Sequence, residues 1–200
     1  MNIGISQSEF SRACIEALRE PLESGVINLA RVAGEAAFPA DFQLVCTMNP
    51  CPCGRPREGK TPCQCTPAQI LLYRSRLSLP ILDRIDLWVP IRSIDTEELG
   101  TLKPGTSTAA AREQVLMAYR RQRERQGCVN ARLRVGEILV QARLGGREKQ
   151  RWEQLAALHR LSARGAHRLL RVARTLADLD AAAKVRSGDL QRAAAWRTAF

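Results

Sequence analysis

The chain has 200 residues, a formal net charge of +11, 45% hydrophobic and 26% charged side chains. These are proportions of an ordinary globular protein, and they exclude wholesale disorder, a fibrous repeat and a membrane span. Seven cysteines without an export signal read as cytosolic thiols or metal ligands, not a disulfide framework, so a cytoplasmic location is expected. The charge is divided: residues 1–100 carry 10 basic and 12 acidic side chains, residues 101–200 carry 21 and 8. A one-sided basic half fits a polyanion partner such as DNA, or solvated helix faces alone.

In chain order, Ser8 is placed to cap a helix carrying Phe10, Cys14, Ala17, Leu18 and Leu22 near one face, bent at Pro21 and ended by Gly25. Val26–Ala30 and Glu35–Phe38 read as a hairpin about Gly34, and Phe42–Thr47 as a compact buried strand. The Pro-, Cys- and Gly-rich stretch Asn49–Cys65 excludes regular structure. Thr66 caps a helix to about Tyr73, and Leu87–Ile91 reads as another short strand. From Lys103-Pro104-Gly105 the pattern is helical only, which predicts two domains, 1–102 and 103–200, of α/β and all-α class. Thr106 or Ser107 opens a helix to about Gln126, closed by Gly127. Others follow near 132–144, 147–161, 163–178 and 187–198, the third of these capped by Ser162 with Leu169, Leu170, Val172 and Leu176 as its buried stripe.

Three clusters carry candidate chemistry. Gly54 to Thr61 spells the phosphate-cradle pattern G-x-x-x-x-G-K-[ST]. Its context opposes that use, because Pro56 and Pro62 remove backbone donors, Glu58 adds negative charge and no apolar helix follows. The same segment holds Cys51-Pro52-Cys53 and Cys63-Gln64-Cys65, two thiol pairs that suit a closed tetrahedral zinc site, with free reduced thiols as the alternative. Cys14, Cys46 and Cys128 sit in apolar or helical contexts and read as small core residues. Asp83-Arg84-Ile85-Asp86, read bare, is a surface ion-pair cluster, and Asn49 a turn former. Arg164, Arg168, Arg171 and Arg174 recur along one helix as a basic, solvated face.

Taken together, Phe42–Gly54, Cys63-Gln64-Cys65-Thr66-Pro67, Leu82–Leu87 and Leu161–Leu179, with Glu16–Glu23 upstream, closely resemble the magnesium-chelatase-like AAA+ ATPases of the bacterial ComM/YifB type. The resemblance implies a partial AAA+ core followed by a helical lid, and it implies roles. Asn49 matches the sensor-1 residue that places the attacking water. Arg84 matches the arginine that one ring subunit supplies to the next subunit's nucleotide. Arg164 matches the sensor-2 arginine of the lid, and the four cysteines match a cysteine-rich insertion. ATP and Mg²⁺ as cofactors, a homo-oligomeric ring and DNA branch migration in natural transformation are implied in the same way.

There are also departures from the family. Glu9-Phe10 align with the end of the Walker-B run, but Ile5 and Ser6 stand where its Asp and Glu belong, and Leu79 replaces a usual glycine. The chain is therefore expected to be the C-terminal part of such a protein, without its N-terminal domain and Walker A and B residues, inactive alone and with strands that expose edges and apolar faces. Two functions follow from these features: the sensor-and-lid half of an ATPase motor, or a basic zinc module that binds DNA or a partner ATPase without hydrolysis. A nucleotide site at Gly54 to Thr61 is a third.

Overall fold

A computed structural model of the chain describes residues 2–6, 11–31, 34–55, 62–91, 94 and 96–197. The chain is mixed, with two small sheets and many helices, and it divides into two compact units, Met1–Ile85 and Asp86–Phe200. Among the described residues no helix is long and apolar enough to cross a membrane.

In the first unit, strand β1 (Asn2–Ser6) is followed by α1 (Arg12–Ala17), whose cap is Ser11, with the Cys14 N–H donating to its Oγ. The predicted cap Ser8 lies outside the described residues. Helix α2 (Pro21–Ser24) starts at Pro21, which supplies the fixed φ of a first helical turn. Gly25 then ends it in the left-handed conformation at φ 70°. Strands β2 (Val26–Arg31) and β3 (Gly34–Pro39) pair antiparallel, Leu29 opposite Ala36, as the predicted hairpin. Strand β4 (Gln43–Thr47) pairs in parallel with β1, Gly4 opposite Val45.

Two expectations are corrected here. β4 is a strand but not a buried one, for only Leu44 within it is half-covered and Val45 is 50% exposed. The alternation that marks a strand does not say whether a second layer covers it. Cys14 and Cys46 are exposed, not core residues. Helix α3 (Pro67–Arg74) opens on a full capping box: the Gln69 N–H donates to Thr66 Oγ1, and the Thr66 N–H to Gln69 Oε1. The short α4 (Leu79–Leu82) leads into Asp83 and Arg84.

In the second unit the predicted strand Leu87–Ile91 is absent. The segment has no regular structure, and Ile91 is 90% exposed. The Trp88 N–H donates to the carbonyl of Trp196, in a helical turn, and Pro90 has no N–H to give, so this apolar run joins no ladder. After α5 (Thr96–Leu99), helix α6 (Thr108–Gln126) is capped by Ser107 and closed by left-handed Gly127. A 3₁₀ turn at Asn130–Arg132 precedes α7 (Val135–Ala142), α8 (Gly146–Leu158), α9 (Ala163–Leu179) and α10 (Ser187–Ala195). Helix α9 is the axis of this unit. Its stripe Leu169, Leu170, Ala173, Leu176 and Ala177 packs with Ile138, Leu155, Val185 and Leu190 into one core, against which Cys128 is half-buried.

Candidate metal centre and arginine sites

The capped start of α3 and the end of β4 hold the two ends of the Cys-rich stretch. Between them the four cysteines converge: their sulfurs all lie within 4.8 Å of one another. Cys51 Sγ is 3.3 Å from Cys53 Sγ and 3.4 Å from Cys63 Sγ, and Cys53 Sγ is 3.6 Å from Cys63 Sγ. All are free thiols, too far apart for disulfide bonds of about 2.05 Å. A tetrahedral zinc with Zn–S bonds of about 2.3 Å sets its sulfurs about 3.8 Å apart, close to the observed spacing.

The electrostatics ask for a cation. The Arg55 N–H, the largest influence, and then the Cys51 thiol stabilise a Cys53 thiolate, bringing its pKa down to about 6. Burial pushes the Cys51 thiol up. Four thiols this close cannot all ionise together, because each new negative charge opposes the next; a divalent ion removes that opposition and holds the set as thiolates. A cleft of about 250 Å³, lined by Pro50, Cys51, Arg55, Cys63, Cys65 and Ile70, gives entry to the cluster. The donor set therefore fits zinc. The phosphate-cradle string shares this loop, and its residues 56–61 lie outside the described residues.

Asn49, two residues before the first ligand, is exposed. Its side-chain amide lies over the Cα of Gly54: a Cβ built there would meet Asn49 Nδ2 at 3.3 Å.

Arg84 contradicts its bare reading as part of a surface ion-pair cluster. Only 7% exposed, it donates Nε to the Arg19 carbonyl at 3.2 Å and Nη1 to the Pro80 carbonyl at 2.7 Å, while Nη2 pairs with Glu23. Glu23, which no local motif marks, is its carboxylate partner. Arg84, Glu23, Glu16 and Arg19 line a groove of about 440 Å³ beside α1 and α2.

The arginines of α9 also divide. Arg164, in the first turn, is exposed. Arg168 grips Asp86 with two bonds, of 2.6 and 2.8 Å, and Arg171 donates to the Leu133 carbonyl at 2.6 Å. Arg174 is fully buried, bound to Asp178 at 2.9 Å and to the Ala182 carbonyl at 2.6 Å. The solvated basic face expected from spacing is thus a graded row, exposed at its start and buried at its end. Asp178 accepts further from Asn130 Nδ2 at 2.8 Å and from Arg125. Burial raises its pKa, but bonds from Arg125 and Asn130 and the charges of Arg174 and Arg125 outweigh that and hold the carboxyl below its ordinary range.

Two models of one protein family cover most of the chain. Magnesium chelatase, subunit ChlI, matches residues 6–99, and magnesium chelatase, subunit ChlI C-terminal, matches residues 105–197. Among curated proteins, YifB of Escherichia coli is 41% identical over 191 residues, 94% of this chain and 37% of YifB. The competence protein ComM of Haemophilus influenzae is 38% identical over 190 residues, 94% of this chain and 37% of ComM. A Mycobacterium tuberculosis protein is 39% identical over 176 residues, 86% of this chain and 34% of its own length. The chain thus spans little more than a third of the length of these relatives.

Proposed function

Because the chain belongs to the magnesium chelatase subunit ChlI family, we propose that it forms the sensor-and-lid portion of an AAA+ ATPase of the ComM/YifB type. The observation that carries this reading is the succession of the two family models along the chain, together with identities near 40% to YifB and ComM. In this reading Asn49 orients the water that attacks the γ-phosphate. Arg164, exposed at the start of α9, reaches the nucleotide bound by its own subunit. Arg84 exchanges the Glu23 carboxylate for a phosphate oxygen of the neighbouring subunit, and its fork of donors suits either anion. Mg²⁺, which would be held by the Walker residues of the P-loop-bearing portion and not by this chain, would supply charge neutralisation at the transferring phosphoryl group. Cys51, Cys53, Cys63 and Cys65 hold a structural zinc. The substrate of the assembled ring in this reading is DNA, supported by the basic excess of residues 101–200.

Phosphate release from Mg-ATP tests the assignment when this chain is added to a P-loop-bearing portion of a ComM-type relative. The mixture is expected to hydrolyse ATP where neither part does alone. Arg84→Ala is expected to lower the rate about 10³-fold or more, and Asn49→Ala and Arg164→Ala to lower it as well. A rate indifferent to all three substitutions overturns the reading.

The uneven charge favours a second reading, a basic module that binds DNA without nucleotide. Its signature is DNA binding by the chain alone, unaffected by Arg84→Ala.

A further inference from the structure

The loop that carries the thiols also carries the wall against which Asn49 rests. Cys51 to Gly54 is a tight turn, closed by the Gly54 N–H donating to the Cys51 carbonyl at 3.2 Å. Gly54 leaves that turn at φ 69°, in the left-handed region that a residue without Cβ enters at least cost. There its bare Cα faces the Asn49 amide, in a gap where any Cβ would stand 3.3 Å from Nδ2 and 3.7 Å from Cγ. The turn carries two of the four sulfurs, those of Cys51 and Cys53, 3.3 Å apart. An ion bound by both cysteines therefore fixes the turn, the turn fixes Gly54, and Gly54 fixes the side chain two residues upstream of the first ligand.

We propose that the four-cysteine centre is a clamp on Asn49, so that metal occupancy sets the orientation of this amide. The inference rests on the zinc reading given above and on nothing about hydrolysis. With the ion in place, the S–metal bonds hold Cys51 and Cys53 at a fixed separation. When it leaves, nothing holds the two sulfurs at that separation, the turn that ends at Gly54 is released, and the amide loses its wall. Asn49 is accordingly a residue positioned by the metal loop, and an oxidant or chelator that strips the centre acts on it at one remove.

The experiment uses the whole reduced chain, ¹⁵N-labelled, titrated with zinc chloride while side-chain amide resonances are recorded. The Asn49 pair is identified by its loss in Asn49→Asp. The expected result is uptake of a single equivalent of zinc with a matching shift of the Asn49 Nδ2H₂ pair, while the pair of Asn130, buried in the second unit, stays in place. Gly54→Asn keeps a residue that tolerates φ near +69° but fills the gap with a Cβ. It is expected to take up the same equivalent of zinc and to lose the zinc-dependent shift. Zinc uptake that leaves the Asn49 pair unmoved overturns the clamp and spares the metal site. Absence of uptake overturns the metal site, and the clamp with it.

Discussion

Asp178 lies in the interior of the second unit with Arg125, Asn130 and Arg174 around its two oxygens, at 1% exposure. A carboxylate so placed matters less for what it adds than for what its loss leaves behind, two guanidinium groups without their counter-charge. Asp178→Ala is expected to cost about 3–5 kcal/mol, the range for breaking a buried pair by removing one partner, read as a lower midpoint in urea. Because the folded carboxyl titrates below its ordinary value, its contribution is complete above the unfolded pKa of about 3.9 and fades as pH falls through the folded one. The stability gap between the natural chain and Asp178→Asn should therefore be level from about pH 7 to about 5 and shrink in stronger acid. A gap that widened in acid would contradict the network. Spacing alone hid this site. Arginines at 164, 168, 171 and 174 look alike on one helix face, and the groups that complete the site around Asp178, Arg125 and Asn130, come from residues some 50 positions away. The four cysteines were legible because a metal site leaves its whole ligand set as local spacing, whereas Glu23, 61 residues before Arg84, leaves none.

At the scale of elements, the helices were readable where a cap chemistry and a 3.6-residue stripe agree. Ser162 accepts from the Gly165 N–H at 3.0 Å, and α9 starts at Ala163 as its sequence predicts. Removing that hydroxyl in Ser162→Ala should cost about 1 kcal/mol. Leu170→Ala, about two turns into α9 and in its buried stripe, should cost about 2–5 kcal/mol by opening a cavity. Thermal unfolding of the two variants checks the order, and a cap variant as damaging as the core variant would mean that α9 is held by its end and not by its stripe. Strands were harder to read. β1 was missed because five residues, Asn2–Ser6, carry too short an alternation, and it becomes a strand only by pairing with Gln43–Thr47. Leu87–Ile91 is an apolar run with Pro90 inside it and no partner, so its composition suggests a strand where the chain has none. A helix closes its hydrogen bonds within itself, and a strand depends on a neighbour that no local pattern names.

For the whole molecule the net charge of +11 matters less than where usable charge is left after folding. Arg125, Arg168 and Arg174 are committed to Asp178 and Asp86, and each such pair subtracts from the field that a polyanion meets. Arg143, Arg147 and Lys149, at the end of α7 and the start of α8, are exposed, and a phosphate backbone would be met by side chains of this kind. Very few aromatic residues accompany them, 4% of the chain, so stacking on single strands contributes little and the contacts are to phosphate. Binding of that type releases condensed counterions, so its constant falls as a power of salt concentration. If about six phosphates are neutralised, affinity for duplex DNA should drop about 10³-fold between about 50 and 200 mM salt, with little dependence on base sequence. Arg147→Glu with Lys149→Glu should lower both the affinity and the slope against log salt, by about 0.9 for each phosphate contact removed. Fluorescence anisotropy across a salt series measures both. A slope near zero, or one unmoved by the double charge reversal, would mean that the basic excess of residues 101–200 serves folding pairs and solubility and that this surface does not hold DNA.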